Sequence, residues 1–323
     1  MKKSLALTLS ILIFVSIVVV VQVSNVLSQL QKSNVQTFNV QVVITKNFGR
    51  SLMLEEYVQI ETGTTAMDTL KKVAEVETRY GGGFVYSINN VSSQYTGTNP
   101  TKKDWFFYVN GMLANVGATD YQMCEGDIEH WDFHDWSFYP TVSAIIGDFP
   151  EPFLHGYGGK TMKTIIVYQE GFKEEASLIK NSLTSFGVKH VLTKTLTNLK
   201  EEEKKHSNLI LIGTQNFQPI QELNKIHEKL GFYVYFDDGK MVLLDCKGNV
   251  VKKSTSGGVI QATQNPWNPK GTLTCENVVW VISGITKNDV KNTVMLFINN
   301  PEEFSRFFAV VIVEGKVYGV PPC

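Results

Sequence analysis

An uninterrupted run of uncharged residues from Leu5 to Val23, rich in Leu, Ile and Val and preceded by Lys2 and Lys3, constrains this chain more than any other feature. Rising about 1.5 Å per residue, a helix of that length matches a hydrocarbon core roughly 30 Å thick. A cleaved secretory signal would carry a shorter apolar region of about 7–15 residues and end at small residues. Here Gln22, Val23, Ser24, Asn25 and Val26 close the run, with no A-x-A pattern and no nearby cysteine for a lipid anchor. Residues 1–32 are therefore read as an uncleaved signal-anchor, a transmembrane helix. The two lysines place the N-terminus in the cytoplasm and the remainder outside. The expectation is a single-pass protein of the cell membrane with its folded domains on the extracytoplasmic side.

The rest of the 323 residues allows two domains, at roughly 100–200 residues each. With 43% hydrophobic residues, 25 Gly and 10 Pro, the composition excludes collagen-like and disordered chains. The 30 Lys+Arg are matched by 31 Asp+Glu, so there is no basic footprint of a nucleic-acid binder. Cys124, Cys246, Cys275 and Cys323 are too few and too dispersed for a small-protein disulfide scaffold, and no CxxC spacing suggests zinc. Cys246 and Cys275 are candidates for pairing outside the cell; burial as small apolar residues is the alternative.

Residues 33–139 have the rhythm of short strands around one helix. Thr37 to Thr45 alternates, with Phe38, Val40, Val42 and Ile44 on one side, and Leu52 to Ile60 follows a turn at Asn47 to Arg50. Thr65 and Asp68 form a capping-box pattern, after which Met67, Leu70, Val73 and Ala74 recur at helical spacing towards Gly81 to Gly83. Further strands are expected at Phe84 to Ile88, Trp105 to Val109 and Ile128 to Phe133, with Asn110-Gly111 as a type I′ hairpin turn. Strands, one helix and more strands suggest an α+β domain of the β-grasp kind. Residues 140–162, with Pro140, Pro150, Pro152, Gly156, Gly158 and Gly159, read as a linker.

From residue 163 to residue 323 strands alternate with helices: Thr164 to Tyr168, a helix over Lys173 to Phe186, Leu209 to Ile212, a helix over Pro219 to Leu230, then Phe232 to Phe236, Met241 to Leu244, Val278 to Ile282, a helix near Asp289 to Ile298, and Phe308 to Val313. That order predicts an α/β domain with a mostly parallel sheet.

Between Asp104 and Glu151 lie nine acids (Asp104, Asp120, Glu125, Asp127, Glu129, Asp132, Asp135, Asp148, Glu151) and no Lys or Arg, interleaved with aromatic residues. Aromatics beside acids can line a site for a cation or a bulky polar ligand. Equally, the aromatics could turn inward as core while the acids face water. His130, Asp132 and His134 share one strand face, but three ligands on a flat strand make a poor tetrahedron, and no metal site is assigned. Gly156-Tyr157-Gly158-Gly159-Lys160 precedes a strand, which is the wrong context for a phosphate loop. No G-x-S-x-G is present, and none of the six His sits in a catalytic signature, so an enzyme is not expected.

The run Trp105-Phe106-Phe107-Tyr108-Val109-Asn110-Gly111, then Gly117-Ala118 and Tyr121, then Gly126-Asp127 and Trp131, resembles the transcobalamin C-terminal-like domain family. The resemblance spans about Thr37 to Trp136 and includes the Thr64 to Leu70 helix start. It implies a β-grasp domain and, since the vitamin-B12 carriers close this domain over a corrinoid, cobalamin as the ligand to consider. Trp105, Tyr108, Tyr121, Trp131 and Trp136 are the ligand-contacting candidates on that basis, although this chain has no stretch long enough for the carriers' helical barrel. Leu209 to Gly213, Gly258 to Gln261, Asn265 to Asn268 and Val281 to Gly284 loosely resemble α/β segments of prokaryotic surface-layer proteins, which implies a cell-surface role. Two readings stand together: an anchored extracytoplasmic protein that binds a small-molecule ligand or a transporter or envelope partner, and a structural cell-envelope protein.

Overall fold

The structure, a computed structural model, describes residues 16–24, 36–96 and 99–323. Most of the expected anchor lies outside these residues. Its described part, 16–24, is helical, and no described helix is long and apolar enough to cross a membrane.

The N-terminal body is α+β. Strands β1 (Thr37–Lys46) and β2 (Ser51–Glu61) form an antiparallel hairpin, followed by α1 (Ala66–Val73). A small sheet of β3 (Val76–Arg79), β4 (Phe84–Ile88) and β5 (Val91–Ser92) comes next, then β6 (Lys103–Val109), β7 (Met112–Leu113) and β8 (Ile128–Asp135). The main sheet has the order β2-β1-β8-β6-β7, with β1 and β8 parallel at its centre. Thr65 caps α1 as its sequence suggests, its Oγ1 accepting from the Asp68 amide at 3.1 Å. The helix stops earlier than the Gly81–Gly83 run. Val76 and Thr78 alternate with charged residues and pair with β4 instead, and β-branched alternation favours that pairing. Asn110 and Gly111 both have positive φ, 50° and 73°, and turn β6 into β7 as the dipeptide requires.

The C-terminal body begins with β9 (Thr164–Tyr168), α2 (Lys173–Ser185), β10 (Val191–Thr195), α3 (Glu201–His206) and β11 (Asn208–Thr214). Two short helices follow where one was expected, α4 (Gln218–Asn224) and α5 (His227–Leu230), the second ended by Gly231 at φ 69°. Then come β12 (Val234–Asp237), β13 (Lys240–Leu244), β14 (Val250–Ser254), β15 (Gly258–Gln264), β16 (Val278–Gly284), α6 (Lys287–Asn299), β17 (Ala309–Val313) and β18 (Lys316–Val320). The large sheet has the order β10-β9-β11-β16-β15-β17-β18. Its first four strands are parallel and the remaining pairings antiparallel, so the sheet is mixed rather than mostly parallel. Gln261, Thr263 and Gln264 disguise β15 in the sequence, yet all three are buried in it.

Residues 140–162 are not a free tether. Ala144, Ile145, Ile146 and Phe153 are buried, and one continuous core joins Phe48, Tyr108, Tyr139, Val142 and Ile145 to Phe217, Tyr233 and Phe308. Arg50 crosses between the bodies, donating from Nη2 to Gly319 O at 2.9 Å and from Nε to Pro321 O at 3.0 Å.

Candidate binding surface

Alternation along β8 sends Glu129, Trp131 and Phe133 to one side of the sheet and His130, Asp132 and His134 to the other. Partner strand β6 follows, with Trp105 opposite Phe133, Phe107 opposite Trp131, and Tyr108 opposite His130. The first face packs with α1 residues Met67 and Leu70. The second face does not meet water, because the C-terminal body and residues 140–162 cover it.

Four of the five sequence-designated ligand residues are consequently core. Trp105 is buried, its Nε1 donating to Val91 O at 2.9 Å, and Trp131 is buried with Nε1 on Glu129 Oε1 at 2.7 Å. Tyr108 is fully buried under the second body, its hydroxyl on Val142 O at 3.0 Å. Tyr121 donates to Asp127 Oδ2 at 2.9 Å in a buried turn cluster with Asn110. None of these four can stack on a bound molecule without unfolding the site around it.

Six of the nine acids are buried as well: Asp104, Asp127, Glu129, Asp132, Asp148 and Glu151. Alternation outward to water therefore fails here, since the outward face is an interior. The physical compensation is a continuous hydrogen-bonded chain. Asp148 Oδ1 pairs with His130 Nδ1 at 2.6 Å, and His130 Nε2 meets Thr45 Oγ1 at 2.9 Å. Thr45 donates to Asp132 Oδ2 at 2.6 Å, and Asp132 Oδ1 pairs with His134 Nδ1 at 2.8 Å. His134 is stacked between Phe48 and Phe106, with ring centroids 4.3 and 4.1 Å away. Burial opposes charge on His130, but Asp148 outweighs it and holds the imidazole above its ordinary value. Burial likewise opposes the Asp132 carboxylate, yet His134, Thr45 and the Gly49 amide keep it below the usual range. Both nitrogens of His130 are engaged, leaving no lone pair for a metal. Glu129 differs: burial pushes its carboxyl well up, and its Oε2 has no partner.

Trp136 alone of the five reaches the surface. It lies just past β8, half-buried, its backbone amide on Lys102 O at 2.8 Å. Its ring meets Tyr95, 51% exposed, at a centroid distance of 5.2 Å, and Lys102 Nζ sits over it at 5.3 Å. Its Nε1 donor is turned inward, buried and without an acceptor. The neighbouring Thr96 accepts from Arg79 Nη1 at 3.3 Å, and the Arg79 guanidinium lies over the Tyr86 ring at 3.3 Å. Two cations and three rings thus line one edge of the N-terminal body. Sequence reading singled out Trp136 but not Tyr95, Lys102, Arg79 or Tyr86, because three chain segments meet there only in the folded state. The edge lies at the surface, with Tyr95 and Lys102 exposed.

A family model described as a domain of unknown function, DUF4430, matches residues 63–135. No curated protein matches the chain. Among solved structures, haptocorrin in complex with Cbi is similar at 14% identity and a TM-score of 0.26, over 30% of this chain and 25% of that one. A protein of presumed metal binding from Ruminococcus gnavus ATCC 29149 is similar at 12% identity and a TM-score of 0.23, over 30% of this chain and 97% of the other. The chain thus spans a quarter of the haptocorrin chain.

Proposed function

We propose that this is a membrane-anchored, extracytoplasmic binding protein whose contact surface is the aromatic and cationic edge formed by Tyr95, Lys102, Trp136, Arg79 and Tyr86. The observation that carries the reading is the sorting of the designated residues: four are locked into core hydrogen bonds, while the half-buried Trp136 packs beside the exposed Tyr95 ring. Rings and cations held together on an open edge suit a flat or amphipathic molecule, whose faces stack on the rings while its polar groups meet Lys102. The strand order with its parallel central pair and single helix supports a β-grasp fold for this body, as the transcobalamin-like resemblance implies. Cobalamin is the first ligand to test. The His–Asp chain is buried and its groups are spent on one another, which favours binding over catalysis.

Full-length protein in detergent micelles, titrated calorimetrically with cobalamin, is expected to bind, and Trp136→Ala or Lys102→Ala to abolish the heat. No heat from the native protein at millimolar ligand removes the corrinoid reading. Recovery of the protein in the soluble cytosolic fraction removes the anchored one. The continuous core joining both bodies also fits a rigid envelope building block of the surface-layer kind. That second reading requires ordered self-association on lipid, and a strictly monomeric protein at high concentration excludes it.

A further inference from the structure

We propose that Cys246 and Cys323 are the two halves of a disulfide, formed on exposure to a low-molecular-weight disulfide oxidant, that clamps the segment after β18 onto the end of β13. Of the two alternatives the sequence left open for Cys246 and Cys275, pairing is disfavoured by topology and burial as small apolar residues is observed. Cys246 belongs to the core shared by the two bodies, whereas Cys275 lies in the core on the other side of the large sheet, its Sγ on Leu113 O at 3.2 Å. The chain beyond β18 instead runs back past Cys246. The Cys246 amide donates to Pro322 O at 3.1 Å, which brings the adjacent Cys323 close to Cys246. Arg50 holds the same segment by the Gly319 and Pro321 carbonyls, which fixes the path of the chain leading to Cys323.

Both thiols are free in the structure, Cys323 exposed and Cys246 buried, and this asymmetry orders the chemistry. The Cys323 thiolate attacks glutathione disulfide, releasing one glutathione thiolate and leaving a mixed disulfide. Cys246 loses its proton and attacks the Cys323 sulfur, expelling the second glutathione. Two protein thiols are oxidised and one glutathione disulfide is reduced. Burial and the neighbouring thiol raise the Cys323 thiol, so the reaction accelerates towards alkaline pH. An extracytoplasmic location would supply the oxidant in the cell, but the chemistry itself is testable without that assumption.

Purified full-length protein is incubated with glutathione disulfide or with dithiothreitol, digested without reduction, and mapped by mass spectrometry. The oxidised sample is expected to yield one cross-linked peptide containing Cys246 and Cys323, to retain Cys124 and Cys275 as free thiols in denaturant, and to melt roughly 5–10 °C above the reduced sample. Cys323→Ser should abolish the cross-link and the gain in melting temperature, while Cys124→Ser leaves both intact. Four reactive thiols after oxidation, or a cross-link joining any other pair, overturns the proposal. The surface Cys323→Ser variant keeps the test valid should Cys246→Ser fail to fold.

Discussion

Replacing Asp132 by Asn preserves the shape of the side chain and removes its charge from the middle of the interface between the two bodies. Asp132 Oδ1 receives the Phe48 amide at 3.0 Å and His134 Nδ1 at 2.8 Å, while Oδ2 receives the Gly49 amide at 2.9 Å and Thr45 Oγ1 at 2.6 Å. An Asn side chain has one acceptor oxygen, so in either orientation two of these donors face an NH2 group. Each stranded donor costs about 1–3 kcal/mol, and breaking a buried charge pair about 3–5 kcal/mol, so a loss of about 3–5 kcal/mol is expected. At ~2–4 °C per kcal/mol the melting temperature should fall roughly 6–20 °C. Urea unfolding followed by tryptophan fluorescence, alongside calorimetry at pH 7, measures both quantities. The deficit should narrow as pH falls below the ordinary carboxylate value of 3.8, because Asp132 is held lower than that and its contribution fades only through its folded value. Asp135→Asn, at the half-buried end of the same strand, serves as control and should stay within about 0.5 kcal/mol. A loss below about 1 kcal/mol in Asp132→Asn would falsify the claim that this carboxylate organises the interface.

His130 is raised above its ordinary value of 6.5, so the stability from its pair with Asp148 is complete below that pH and fades as pH climbs through the raised value; His130→Gln should flatten this alkaline limb in pH-dependent melts. Glu129 is raised for the opposite reason, burial of the charged form, so it costs stability once pH exceeds its ordinary value of 4.5; Glu129→Gln should gain about 1–2 kcal/mol at pH 7 by urea unfolding, and any loss contradicts the assignment. At Gly49 an added Cβ would stand 1.9 Å from Arg306 O at a φ of +82°, so Gly49→Ala should destabilise by at least about 2 kcal/mol, or leave no soluble protein, in expression and melting assays.

What could be read from the sequence was local chemistry. The Thr65 cap, the Asn110-Gly111 turn, the alternation of β1 and β8 and the apolar run of β11 depend on a few neighbouring residues, and their physics is complete within one turn or one strand. Periodicity likewise separated the two faces of β8, placing Trp131 with Phe133 and His130 with Asp132 and His134. It could not say what lies over each face. That was decided when the C-terminal body and residues 140–162 covered the polar one, turning acids expected in water into a buried chain sealed by Asp148, and burying Tyr108 beneath Val142. Strand β15 escaped notice for a related reason. Gln264 passes as a loop residue until its side chain is seen to donate to Leu113 O and Ser143 O, far away in the chain, and to accept from the Cys275 amide. Trp136 with Tyr95 and Lys102, and Cys246 with Cys323, are likewise meetings between distant segments. Sequence spacing carries a record of what a residue does with its neighbours along the backbone, whereas burial and long-range pairing arise only when separate elements pack, and that packing selected which residues remain available to bind.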